Sequence, residues 1–163
     1  ERGRGTMGMS NRPVDWEAFV LRHENHLYRA ALALLGCREE AQDAVQDALV
    51  KYLEKRPALE SEAHERAWLL RVTVNLCKSR LRSPWRRRRV PLGELMGAAE
   101  EDRPAFDTLD ALPVKDRAVI HLYYYEGYTT AEIARMTREA EGTVRSRLHR
   151  ARQKLRRLLE KED

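Results

Sequence analysis

Residues 129–159 read TTAEIARMTREAEGTVRSRLHRARQKLRRLL, and the fold is decided in this stretch. Thr129-Thr130-Ala131-Glu132 has the spacing of a capping box, in which a Thr hydroxyl and a carboxylate three residues on close the first turn of a helix. Ile133 and Met136 then fall on the inner side of a short helix. Beyond a tight connection, Val144, Leu148, Ala151, Leu155 and Leu158 recur at helical intervals and predict a long helix from about Ala140 to Leu159. Two helices joined this tightly have the organisation of a helix-turn-helix, whose second helix sends its N-terminal residues into the major groove. Gly142 and Thr143 are small enough for close backbone approach. Arg145 and Arg147 are long enough to reach bases or phosphates, and the amides of a helix N-terminus favour phosphate. Between Arg138 and Arg157 there are seven Arg and one Lys against two Glu, so basic charge is concentrated here. For this segment taken alone, an exposed basic helix with no nucleic-acid partner is the plainer alternative. The turn Thr137-Arg138-Glu139-Ala140 carries neither a glycine nor a Ser/Thr cap, which costs about 1 kcal/mol of helix start.

Working outward, Leu112-Pro113 opens a helix whose inward positions are Val114, Ala118, Val119, Leu122 and Tyr125, ended by Gly127. Before it, Arg86 to Arg89 are four consecutive arginines, and the acidic stretch from Glu94 to Asp110 holds Gly97 and Pro104. Residues 86–106 therefore read as a linker, and the boundary of two domains, 12–85 and 107–163, is placed across it. In the first domain, Trp16, Phe19, Val20, Leu27, Ala31 and Leu34 mark a helix that Gly36 closes. A second helix, from about Arg38 to Lys55, has Ala41, Val45, Ala48, Leu49 and Tyr52 inward and Asp43, Gln46, Asp47 and Val50 on the other side. A third, from about Ala63 to Leu81, separates into two stripes. Ala67, Leu70, Val74, Cys77 and Leu81 form the core stripe. Trp68, Arg71, Asn75, Lys78 and Arg82 lie a quarter-turn away, and a tryptophan, an amide and three cations on one face are unusual for solvation alone. No stretch alternates as a strand does. The fold class is all-α: two small helical domains joined by a linker, the C-terminal one with a helix-turn-helix.

Bulk properties agree. The 163 residues are 42% hydrophobic and 35% charged, with a mean hydropathy of −0.69, which suits two thin modules better than one thick globule. The net charge is +5. No apolar run approaches the roughly 20 residues that span a bilayer, so no membrane insertion is expected. The opening ERGRGTMGMS lacks the apolar core of a signal peptide, with Met7 and Met9 as alternative starts. These features predict a soluble, cytoplasmic protein. Cys37 and Cys77 have no partners at metal-ligand spacing and read as small buried residues. His23 and His26 are three apart, but without further ligands they, like His64, His121 and His149, read as surface or boundary histidines. No phosphate loop, nucleophile elbow or convergent carboxylate pair is present. No enzyme activity, metal or cofactor is expected.

Residues 112–159, LPVKDRAVIHLYYYEGYTTAEIARMTREAEGTVRSRLHRARQKLRRLL, resemble the minus-thirty-five-binding region 4 of extracytoplasmic-function (ECF) sigma factors. The matching features are Leu112-Pro113, Arg117, Glu126-Gly127, Glu132-Ile133-Ala134 and GTVRSRLHRAR. Upstream, EEAQDAVQDALVKYL resembles region 2 of that family, and RAWLLRVTVNLCKSRLR resembles its DNA-facing helix. The resemblance implies a protein that binds core RNA polymerase, recognises promoter DNA as duplex and as melted strand, and helps to open it, with an anti-sigma factor as regulator. It implies polymerase docking through Asp43, Gln46 and Asp47, and minus-ten contacts through Trp68, Arg71, Asn75, Lys78 and Arg82. It implies minus-thirty-five contacts through Arg138, Glu141, Gly142, Thr143, Arg145, Ser146, Arg147 and Arg150. Residues 57–65 correspond to a loop that captures an extruded base. For Trp68, partial burial against the first helix stays open as the other reading. The competing function is a stand-alone helix-turn-helix regulator, which would leave the Asp43-Gln46-Asp47 row and the Asn75 face without a role.

Overall fold

The structure is a computed structural model and describes residues 15–83 and 109–161. The expected linker, residues 86–106, lies outside the described residues. All regular structure among the described residues is helical. Helix α1 is Trp16–Leu35, α2 Arg38–Lys55, α3 Glu62–Arg82, α4 Val114–Ile120, α5 Thr130–Thr137 and α6 Glu141–Lys161. Helix α4 runs directly into a π-helical turn, His121–Tyr125.

Local chemistry sets the helix ends. The Asp15 carboxylate accepts from the Ala18 amide, and the Ser61 hydroxyl accepts from the His64 amide, capping α1 and α3. Gly36 ends α1 in the left-handed region, at φ 65°, where a side chain is disfavoured. The capping box at Thr129 and Glu132 is present in both directions, as its spacing predicts.

Helices α1, α2 and α3 pack on one another around Phe19, Leu27, Leu34, Leu35, Leu69 and Leu70, all essentially free of solvent. Helices α4, α5 and α6 close on Val119, Leu122, Ile133, Val144 and Leu148. Both cysteines are buried, as expected.

Three expectations need correction. Tyr125 does not face inward: it is 59% exposed, because the π turn inserts an extra residue per turn and rotates the HLYYY segment after Leu122. His23 is fully buried rather than superficial. Its Nε2 lies 2.9 Å from a Glu65 oxygen, and its ring packs edge-on to Phe19. His121 is buried too, stacked on Tyr125.

The two helix groups also pack against each other, α1 on α4 and the π turn, and α3 on α5. Ala118, with Val114 beside it, shares an apolar cluster with Ala31, Leu35, Val74, Cys77 and Leu81.

Candidate nucleic-acid interface

The side chains expected to carry function fall on three surfaces. The first is the outer side of α2. Asp43, Gln46, Asp47 and Val50 are all exposed, because Ala41, Ala44, Val45 and Ala48 occupy the opposite side against α1 and α3. Asp47 is not idle there: the Arg80 guanidinium donates to it at 2.6 Å, tying α3 to α2.

The second surface is the outer stripe of α3. Asn75 and Arg82 lie on it with Trp68, Arg71 and Lys78; Asn75 and Arg82 are exposed, and the other three are half-buried. Trp68 packs edge-on to Tyr52 of α2, which in turn lies against Phe19 of α1. Its burial is thus mediated by α2, and its rim remains on a cleft lined by Lys51, Lys55, Arg71, Asn75 and, from the α5–α6 turn, Arg138. Lys78 is held below the usual lysine pKa, chiefly by burial, with Glu139 opposing and Lys115 and Arg147 reinforcing the effect. The α5–α6 turn therefore stands beside this stripe.

The third surface is the start of α6. Gly142, Thr143, Arg145 and Arg150 are exposed along its first turns, as is Ser146, with Val144, Leu148 and Ala151 buried beneath them. A side chain at Gly142 would meet nothing within 4 Å, so this helix end is open to a large partner. The turn before it is made without glycine: Arg138 itself adopts φ 56° and closes α5, its amide donating to the Ala134 carbonyl. Ala140 receives the first amides of α6, those of Thr143 and Val144. Glu141 accepts from the Thr130 hydroxyl at 3.1 Å, linking the starts of α5 and α6.

Arg147 differs from its neighbours. Its Nε donates to Glu139 at 2.9 Å, its Nη1 to Asp116 at 3.3 Å, and only 18% of its side chain is exposed. Burial alone would lower its pKa, but the two carboxylates outweigh that and raise it. The guanidinium thus ties α6 to α4 and to the turn. Periodicity puts Arg147 beside Arg145 and Arg150 on one helix and carries no sign of these partners, which lie 8 and 31 residues upstream.

Two family descriptions cover most of the chain. Residues 19–87 match Sigma-70 region 2, and residues 105–155 match Sigma-70 region 4. The ECF RNA polymerase sigma factor SigM of Mycobacterium tuberculosis is 35% identical over 144 residues, spanning 85% of this chain and 74% of that protein. The chain belongs to the ECF sigma factor family. SigL of the same organism is 36% identical over 141 residues, 79% of this chain and 80% of the relative. Among solved structures, this sigma factor resembles RpoE of Bartonella quintana, determined with the anti-sigma factor NepR, at a TM-score of 0.73 and 26% identity over 90% of this chain and 97% of that one. It also resembles CnrH, determined with the cytosolic domain of CnrY, at 0.67 and 27% over 92% of each. Among the described residues, no helix of this sigma factor is long and apolar enough to cross a membrane, and no group of His, Cys, Asp and Glu is arranged to hold a metal ion.

Proposed function

We propose that this sigma factor docks on core RNA polymerase through Asp43, Gln46, Asp47 and Val50 and directs it to promoters. In this reading the stripe of Trp68, Arg71, Asn75, Lys78 and Arg82 holds the melted minus-ten strand. Aromatic stacking and cationic contacts to the backbone bind a single strand without needing a duplex groove. The start of α6 reads the minus-thirty-five duplex, with Arg145, Ser146 and Arg150 at base edges or phosphates and Gly142, Thr143 and Glu141 at the helix N-terminus. Arg138 serves at the turn, and Arg147 acts by holding the angle of α6 rather than by touching DNA. Residues 12–85 and 107–163 form the two domains, and catalysis belongs to the polymerase. The protein works in the cytoplasm, where the polymerase is, under an anti-sigma factor, as the solved complex of its relative RpoE suggests.

The observation that carries this reading is the exposed row of Asp43, Gln46, Asp47 and Val50 on α2, an acidic surface in addition to the two cationic ones. A stand-alone helix-turn-helix regulator needs only the last of the three. Asp43→Arg tests the division, chosen over Asp47 because Asp47 also anchors Arg80. Co-migration with core polymerase should be lost while duplex binding stays within about twofold, since the site is remote from α6. Equal loss of both would overturn the assignment.

A further inference from the structure

Four cations from three elements converge on one cleft. Lys51 and Lys55 of α2 line one side, Arg71 of α3 lies along it, and Arg138 enters from the α5–α6 turn. The two lysines stand about one helical turn apart, roughly 6 Å at 1.5 Å per residue, so both ammonium groups address the same opening. No Asp or Glu among the described residues lines the cleft, and none of the four side chains forms an ion pair with a described residue. Two carboxylates close by are committed elsewhere. Asp47, one turn before Lys51, holds Arg80 at 2.6 Å, and Glu139, next to Arg138, holds Arg147 at 2.9 Å. Lys78, further along α3, feels the same excess of positive charge: burial first, then Lys115, Arg147 and Arg82, lower its pKa against the opposing Glu139.

Cations that face one another across a cleft repel. A cleft lined by one sign of charge also concentrates the field and draws in counter-ions. The complementary guest is an anion with several charges spread along its length. A guanidinium fork matches phosphate oxygens in pairs, and a lysine meets them as a point charge. One phosphate alone would reach only part of this set. Linked phosphates can touch both α2 lysines together with Arg71 and Arg138. The cleft has a volume of about 180 Å³, below the roughly 300 Å³ at which pockets begin to enclose drug-sized ligands. It therefore suits a short chain of phosphates rather than a whole nucleotide, whose base would lie at the opening. Trp68, Val72 and Asn75 line the same cleft and offer such a base an aromatic ring, an apolar surface and an amide.

We propose that this cleft binds an oligophosphate group, two or more linked phosphates carried by a nucleotide or by an inorganic chain, between α2, α3 and the α5–α6 turn. The site does not rest on the minus-ten reading: it would stand if this sigma factor bound no promoter strand. Where that reading also holds, ligand and strand share Arg71 and Asn75, which gives a phosphorylated metabolite a direct route to the DNA-binding stripe.

The test titrates the full chain with tripolyphosphate by calorimetry at low ionic strength, where contacts to exposed lysines are least screened. Binding should saturate at one ligand per chain. Lys55→Gln and Arg138→Asn should each weaken it about threefold, as exposed ion pairs do, and together about tenfold. Asparagine is chosen because Arg138 adopts φ 56°, a backbone region that Asn tolerates. Lys154→Gln removes the same charge from an exposed position of α6 outside the cleft and should change affinity by less than about twofold. No saturable binding, no loss in the double variant, or an equal loss with Lys154→Gln overturns the site. Amide NMR spectra of the parent protein give a check that needs no variant. The Asn75 side-chain amide and the Trp68 indole N–H should shift on titration; shifts confined to Gly142 and Thr143 would place the anion at the start of α6 and overturn the cleft. ATP titrated in the same way separates the two sources, and either supports the site. Tighter binding than tripolyphosphate, with a larger Trp68 shift, assigns a nucleotide; equal or weaker binding assigns an inorganic chain.

Discussion

Helices α3 and α6 are each 21 residues long, and each presents a row of cations beside small or amide side chains, yet their surroundings differ. On α6, Arg145 and Arg150 project from a helix end with open space around Gly142, while Arg147 is fixed to Glu139 and Asp116 beneath them. On α3, Arg71 and Lys78 are half-buried, and the turn at Arg138 shares a cleft with Arg71. Similar composition thus gives one surface ready for a duplex and another whose access depends on how the halves are arranged. A cationic row alone says little about accessibility; the residues opposite it decide.

Removing the support of α6 should disturb this contrast most severely. Ile133 of α5 is fully buried in the core that α5 shares with α6. Ile133→Ala should destabilise the chain by about 2–5 kcal/mol, measured by thermal melting. Duplex binding should fall with it, while single-strand binding by α3 persists, because Trp68 of that stripe is held by Tyr52 of α2 and, through it, Phe19 of α1. Loss of both activities in parallel would mean that the two surfaces are not independent.

Arg147→Ala comes next. It leaves two largely buried carboxylates without their shared partner and should cost about 1–3 kcal/mol of stability, with duplex affinity falling because α6 is no longer held. Arg145 follows the buried Val144 but is itself exposed. Arg145→Ala should leave the melting temperature unchanged and weaken duplex binding by about 1–3 kcal/mol if it reads a base. The pair separates positioning from contact: equal loss of stability in both variants would abolish the distinction.

The smallest effect concerns pH and the contact of α1 with α3. Burial holds the His23 pKa below its ordinary 6.5, only partly offset by the Glu65 hydrogen bond. Unfolded chains therefore take up the proton first as pH falls. The associated stability is full above pH 6.5 and is lost as pH drops below it toward the folded pKa. Denaturant titrations from about pH 7.5 to about 5.5 should show this decline, with a slope of at most about 1.4 kcal/mol per pH interval of one. His23→Gln should flatten it, and a slope that survives the substitution would assign it to other groups.

Much of this was legible in the sequence because it is local. The closing Gly36 lies next to the apolar period it bounds, and the Thr129–Glu132 box is complete in four residues. The alternation of Ala41, Val45 and Ala48 with Asp43, Gln46 and Asp47 fixes both sides of α2 without knowledge of its neighbours. What escaped depends on distant partners. His26 meets Glu126 across 100 residues, His23 meets Glu65 across 42, and Arg147 meets Asp116 across 31. No helical period encodes those distances. The π turn also breaks the period itself, which is why a helical pattern places Tyr125 inward although it is exposed. Leu69 and Thr73, both fully buried, lie beyond the core stripe of α3 on the side away from the outer one. A helix packed by α1 and by α2 buries more than one stripe.

The central claim is tested most directly by adding the purified protein to core RNA polymerase and a supercoiled promoter library and mapping the transcripts. Initiation at a defined set of sites that share two sequence elements, absent without the protein and abolished by Asp43→Arg, is the predicted result. Stable duplex binding by the protein alone, with no association with core polymerase and no initiation across a range of salt, would contradict it.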